Sequence, residues 1–224
     1  GASTEGKVRK TNEDAFRIYF DEPAIISKGR GFLFAVADGI GSYRAGAQAA
    51  WMAVDQLALY FRMPDSQFSE STLQELVFRA NEVITNLRTQ QKGYYGMGCT
   101  LTLLYVDPEF TRAHVLQAGD SMAYLVREGR IATVTTPHVS SESELTNHMG
   151  LGEQFKLEKV GFPLLPGDSL LLCSDGLSGF VTEDDLLEGL TVSGSPQHCL
   201  DHLMVKALES SDDNVTGIVV KVDD

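Results

Sequence analysis

Thr100-Leu-Thr-Leu-Leu-Tyr105, Arg112-Ala-His-Val-Leu-Gln-Ala118, Met122-Ala-Tyr-Leu-Val-Arg127 and Ile131-Ala-Thr-Val-Thr135 are four short apolar runs in close succession. Runs of this length, rich in Val, Leu, Tyr and Thr, read as strands, and Glu128-Gly129 between the last two is a hairpin turn. Strands this close together leave no room for the crossover helices of a parallel sheet. Helical spacing lies to either side. Ala45 to Phe61 is Ala-rich and stops before Pro64. Ser71-Thr-Leu-Gln74 resembles a capping box, opening a helix with Leu73, Leu76, Val77, Ala80, Val83, Ile84 and Leu87 on one face. Thr182, with Asp185 three residues on, caps a third helix, and a fourth runs from about Pro196 to Ser210. Thr136 to Lys156 is polar and reads as a surface flap with a short helix around Glu144–Met149. The mixture predicts an α+β fold of antiparallel sheets with packed helices.

Three of the apolar runs end on an aspartate beside a glycine: Gly31–Ala37 into Asp38-Gly39, His114–Ala118 into Gly119-Asp120, and Ser169–Ser174 into Asp175-Gly176. A fourth acidic pair, Asp212-Asp213, precedes Asn214 and the last run, Val215–Val220. A single Asp-Gly is usually only a turn. Several carboxylates brought by separate strands to one sheet edge repel one another unless a cation sits among them, and Mg²⁺ or Mn²⁺ favours such oxygen ligands. Arg9-Lys-Thr-Asn-Glu13-Asp14 adds two more carboxylates and a guanidinium suited to a phosphate dianion.

With 224 residues, 43% of them hydrophobic, residues 1–224 read as one domain with a sizeable core. No apolar run reaches the roughly 18 residues of a membrane span, and no basic-then-apolar leader is present. A net charge of −13 without a Lys/Arg block argues against a nucleic-acid or anionic-membrane surface. Cys99, Cys173 and Cys199 are odd in number and widely spaced, as in reduced core residues of a cytoplasmic protein. His198 and His202 stand at i, i+4 spacing without a third ligand of their kind, so they read as a polar helix face.

Three other chemistries fit poorly. Gly39-Ile-Gly41-Ser-Tyr-Arg44 has Arg44 where a dinucleotide fingerprint needs its third glycine. Gly119-Asp-Ser121-Met-Ala123 imitates a nucleophile elbow but runs into a strand instead of a helix. A cysteine-dependent phosphatase needs an arginine six residues after its cysteine, where Tyr105, Gly179 and Val205 stand.

In order along the chain, Val8-Arg9…Asn12-Glu13-Asp14, Val36-Ala-Asp38-Gly39-Ile-Gly41, Gly98-Cys-Thr100, Gly119-Asp120-Ser121-Met-Ala-Tyr124-Leu125, Ser174-Asp175-Gly176-Leu177 and Asp213-Asn214 resemble the bacterial type 2C (PPM) metal-dependent serine/threonine protein phosphatases. The resemblance implies an αββα sandwich, two antiparallel sheets flanked by helices, with two tight Mn²⁺ or Mg²⁺ ions at one end. By position, it assigns Asp38 as the bridge between the ions, Gly39 as a carbonyl ligand, and Asp175 and Asp213 as the remaining ligands. Glu13 and Asp14 fall where metal-bound waters are held, Arg9 where substrate phosphate is bound, and Asp120, with Asp175, where a third, weaker ion binds. Met122 replaces a frequent arginine, Ser42-Tyr43 a frequent glycine, and the flap is short. Ile40 stands where eukaryotic members carry a histidine.

The implied activity is hydrolysis of phosphoserine and phosphothreonine in proteins by a metal-bridging hydroxide, with Arg9, Asp38, Asp175 and Asp213 as the catalytic set. A monomer in the cytoplasm is expected, opposing a Ser/Thr kinase. The alternatives are a non-catalytic regulatory module of the same fold and a hydrolase of small phosphoesters.

Overall fold

The computed structural model describes residues 1–19, 29–41, 44–63 and 70–223. Two five-stranded antiparallel sheets lie face to face. One has the order β1 (Ala2–Thr4), β12 (Val215–Lys221), β11 (Ser169–Cys173), β8 (Met122–Arg127) and β9 (Arg130–Thr133). The other runs β10 (Glu158–Pro163), β7 (Arg112–Ala118), β6 (Leu101–Val106), β3 (Phe32–Ala37) and β2 (Ala15–Tyr19). A small ribbon pairs β4 (Gly39–Ile40) with β5 (Gly98–Cys99).

The strands are nearly continuous apolar runs because both faces of each sheet are covered. On β3, Phe34 and Val36 pack between the sheets with Leu104, Val115, Leu170, Leu172 and Ile218. Leu33, Ala35 and Ala37 point the other way. They meet a layer drawn from α1 (Arg44–Gln56), α2 (Ala58–Arg62) and α3 (Glu70–Gln90), including Ala49, Ala53, Leu57, Leu73 and Leu76. On the far side Leu171, Cys173, Val215 and Val219 pack against Leu177 of α4 (Asp175–Ser178), Leu186 of α5 (Glu183–Thr191) and Leu200 and Leu203 of α6 (Pro196–Ala207). The order of layers is helix, sheet, sheet, helix, as the resemblance implied.

Boundaries follow local chemistry. The Thr182–Asp185 capping box is present in both directions and opens α5. Glu128 and Gly129, both at positive φ, form the tight turn between β8 and β9. The expected helix from Ala45 to Phe61 is split at Leu57, and Pro64 lies outside the described residues.

Two expectations fail. Ser71 does not cap its helix, since α3 already includes Glu70, and the preceding residues lie outside those described. Glu144–Met149 is not a helix. Its backbone groups go instead to a bridge between Val139 and Leu145, to the Thr146 N–H donated to the His138 carbonyl, and to a two-way bridge between Met149 and Cys99. β1, β2 and β10 had no clear signal. β10 is an exposed edge carrying Gly161 and Pro163, and Pro is tolerated there because no neighbour needs its N–H.

All three cysteines are buried and unpaired. Burial raises the Cys99 thiol pKa far above its usual value and pushes Cys173 up to about 12. Iodoacetamide at neutral pH should therefore leave Cys99 and Cys173 unlabelled in the folded protein and label both in urea, read by mass spectrometry. Labelling of either one in the fold would contradict their burial.

Candidate metal centre

Antiparallel pairing sends every one of the carboxylate-bearing segments to the same end of the sandwich. Asp38 leaves the end of β3, and the Ala15–Ala37 pairing sets Asp14, just before β2, beside it. Asp120 follows β7, Asp175 follows β11, and Asp213 stands just before β12. The two sheets each supply part of the cluster.

Hydroxyl groups hold it in place. The Asp38 N–H donates to Thr100 Oγ1 (2.9 Å), and the Thr100 N–H returns a bond to the Asp38 carbonyl (2.8 Å). Thr100 Oγ1 also lies 2.7 Å from Ser121 Oγ. Ser174 donates its hydroxyl to Asp14 Oδ2 (2.8 Å) and accepts the Thr216 N–H (3.1 Å). Close backbone approach does the rest. A Cβ on Gly39 would stand 2.6 Å from the Glu13 carbonyl oxygen and press into Gly46, and one on Gly176 would collide with the Asn214 carbonyl.

The carboxylates strain against one another. Burial first, then the charges of Asp14 and Asp175, holds Asp38 well above the ordinary carboxylate range. Its carboxyl shares a hydrogen bond with Asp175, whose own pKa is raised chiefly by burial. Burial also lifts Asp14 and Asp120 to about 6, with Asp175 adding to both. Asp14 Oδ1 and Asp175 Oδ1 are buried and have no hydrogen-bond partner. Orphaned anionic oxygens beside a shared proton are the donor set a hard divalent cation satisfies. Among the described residues, no three acidic, His or Cys side chains enclose one point by themselves. An ion here would therefore draw further oxygens from backbone carbonyls and water, as Mg²⁺ characteristically does.

In front of the carboxylates lies a cavity of about 550 Å³, lined by Val8–Thr11, Glu13, Asp38–Gly41, Asp213 and Asn214. Arg9 Nη2 donates to Asp213 Oδ2 at 2.6 Å, so these two residues meet each other across its mouth.

The profile of the family described as Stage II sporulation protein E (SpoIIE) matches residues 28–223. This chain belongs to the SpoIIE/type 2C phosphatase family. The solved structure of PppA, a key regulatory component of T6SS in Pseudomonas aeruginosa, is 31% identical with a TM-score of 0.82, covering 98% of this chain and 95% of that one. The catalytic domain of the serine/threonine protein phosphatase PstP, solved with two manganese ions, is 28% identical with a TM-score of 0.83, covering 100% and 96%. A serine/threonine phosphatase stp of Listeria monocytogenes is 28% identical over 97% of this chain and 93% of that protein.

Within this SpoIIE/type 2C chain, the strand-end residues Glu13, Asp14, Asp38, Gly39, Asp120, Asp175 and Asp213 stand at one end of the sandwich, and Asp14 is buried there. Ser121 is fully buried and hydrogen-bonded, which removes the nucleophile-elbow reading. Met122 packs into the helix-side core, with the Thr135 hydroxyl 3.7 Å from its sulfur, so apolar contact stands where an arginine is frequent. His198 and His202 are exposed on α6, away from the cluster. Ser42-Tyr43 lies outside the described residues.

Two supporting residues escaped the sequence reading. Asn214 donates Nδ2 to the carbonyls of Glu5 (3.1 Å) and Thr11 (2.9 Å) and accepts the Glu13 N–H (2.9 Å), which fixes the loop carrying Arg9. His138 Nδ1 accepts the Gly119 N–H (3.0 Å) and stands 3.1 Å from Asn147 Nδ2. Both contacts present donors to Nδ1, so the ring proton belongs on Nε2, which lies 3.1 Å from Glu158 Oε1 but out of hydrogen-bond alignment. The flap thereby holds the Gly119-Asp120 turn. Asn214 was legible only as the neighbour of Asp213.

The raised pKa values set a pH dependence. Between about pH 4 and about pH 6 the folded chain, with Asp14 and Asp120 near 6, binds more protons than the unfolded chain, so stability falls as pH rises through that window. In EDTA the Tm should be higher at pH 5 than at pH 7.5, and Mn²⁺ at pH 7.5 should raise it again. A Tm in EDTA that climbs from pH 5 to pH 7.5 would contradict the crowding of these carboxylates.

Proposed function

We propose that residues 1–224 form one catalytic domain, a metal-dependent protein serine/threonine phosphatase. The observation that carries the proposal is the cluster of Asp14, Asp38 and Asp175, with two buried oxygens unpartnered, beside a cavity that Asp38 and Arg9 both line. The names of the related phosphatases and the two manganese ions of the PstP domain support the same reading. Asp38, Gly39, Asp175 and Asp213 are the residues that would hold two Mn²⁺ or Mg²⁺ ions, with Glu13 and Asp14 beside them and Asp120 available to a third. Bound there, the ions supply Lewis-acid polarisation of the ester and a water acidified toward neutrality.

The side chains do the remaining work. Arg9 uses only Nη2 on Asp213, so its other guanidinium N–H groups are available to a phosphate dianion. That charge-assisted contact persists from ground state to transition state, so it acts mainly on substrate binding. Ile40, which lines the cavity, carries no proton to give, so the leaving alkoxide takes its proton from another donor. Covalent catalysis is disfavoured, because Ser121 is sequestered and the thiols of Cys99 and Cys173 stay protonated at neutral pH. The substrate is a phosphorylated protein opposite a Ser/Thr kinase, met by a monomer in the cytoplasm. The reduced cysteines support that setting, and among the described residues no helix is long and apolar enough to cross a membrane.

Turnover of a phosphothreonine peptide should require Mn²⁺ or Mg²⁺, stop in EDTA, and exceed turnover of small sugar phosphates. Asp38→Ala, Asp175→Ala and Asp213→Ala should each abolish it in a folded protein. Undiminished turnover in EDTA would refute the proposal.

Arg9→Ala should raise KM and cost roughly 10- to 150-fold in kcat/KM, the range of a charge-assisted bond worth about 1.5–3 kcal/mol. Arg9→Lys should recover only part, because an ammonium lacks the two-pronged contact. Wild-type KM in folded Arg9→Ala would remove Arg9 from the phosphate site.

A further inference from the structure

Lys7-Val8-Arg9-Lys10 puts three cations within four residues of a chain whose net charge is −13. The loop that carries them is fixed. Asn214 bonds the carbonyls of Glu5 and Thr11 on either side, and Gly6, at φ +76, packs against the Asp213 backbone. Val8, Arg9 and Lys10 form one lip of the cavity, facing Asp38 and Asp213 in its lining. Of the three cations, Arg9 is engaged by Asp213. Lys7 and Lys10 are exposed and have neither an ion pair nor a side-chain hydrogen bond among the described residues. Lys206, by contrast, finds a carboxylate, Asp185, at 3.3 Å. Lys10 lines the cavity without such a partner, and Lys7 stands three residues before it on the same fixed loop.

We infer that this lip is a docking surface for carboxylates flanking the phosphorylated residue, with Lys10 as the residue that selects for them. The inference rests on the phosphatase reading and names the substrate class: phosphoserine or phosphothreonine segments rich in neighbouring Asp and Glu. A phosphate drawn to Arg9 at the metal end of the cavity leaves the adjoining substrate residues to pass over Lys10 on the rim. The net negative charge of the protein is screened beyond about 8 Å at physiological salt, so an acidic segment meets the local cations rather than the overall charge. A single exposed ion pair is worth roughly 1.4- to 5-fold in binding, and several flanking carboxylates can share the two lysines.

The test uses three phosphothreonine peptides of equal length, flanked by Glu, Gln or Lys, with kcat/KM measured in Mn²⁺ at low and physiological salt. Wild-type protein should favour the Glu peptide over the Lys peptide by roughly 3- to 10-fold at low salt, and less when salt is added. Lys10→Gln should bring that ratio down toward one, and Lys10→Glu should invert it. A wild-type ratio at or below one, or a ratio that neither variant moves, would overturn the inference. Absence of turnover on all three peptides would instead remove the phosphatase reading, and the charge preference with it.

Discussion

Mutual repulsion among buried carboxylates is the constraint around which this molecule is built. Asp14, Asp38 and Asp175 lie at the end of a sandwich whose interior is otherwise apolar, and each is forced above its ordinary pKa, first by burial and then by a neighbouring charge: Asp175 for Asp14, Asp14 and Asp175 for Asp38, and Asp213 for Asp175. A stable protein would not hold such a group without a use for it, since burying unpaired charge costs several kcal/mol per ion in real proteins (roughly, after relaxation). The cost is tolerated because sheets with both faces covered give the rest of the chain a large apolar core.

That repulsion explains the polar residues that otherwise look misplaced in the core. Thr100, Ser121, Ser174 and Thr216 are all essentially inaccessible, and each lies within one or two hydrogen bonds of a clustered aspartate. A hydroxyl can donate to one partner and accept from another, so these four hold the acids at fixed spacing without adding charge. The glycines at 39 and 176 serve the same purpose by removing bulk where backbone must cross backbone.

Strands were legible in the sequence where burial on both sides left continuous apolar runs, as in β6, β7, β8 and β11. Edge strands such as β10 were not, because exposure there leaves Glu158, Lys159 and Gly161 in place of a pattern. The flap deceived for a related reason. Glu144–Met149 has helix-compatible residues, but its backbone groups are spent on His138, Ser140 and Cys99, contacts that depend on the fold. The acidic residues at strand ends were readable because the chemistry demands those residue types. Their supports were not, since Asn214 and His138 act through backbone groups far away in sequence, and nothing local marks an amide or imidazole as a clamp.

Asn214 reaches Glu5 and Thr11 across separations of 209 and 203 residues, and β1 pairs with β12. Contacts between such distant parts of a chain close slowly, since loop-closure entropy must be overcome before they are rewarded. During synthesis, the loop bearing Arg9 emerges long before the residues that anchor it, and Asp213 is made after Asp14, Asp38, Asp120 and Asp175. A nascent chain still lacking β12 has most of its hydrophobic core but no assembled cavity. The cavity is therefore assembled only after β12 has joined β1 and β11, so a chain that stops short of β12 would carry most of the sandwich without its site.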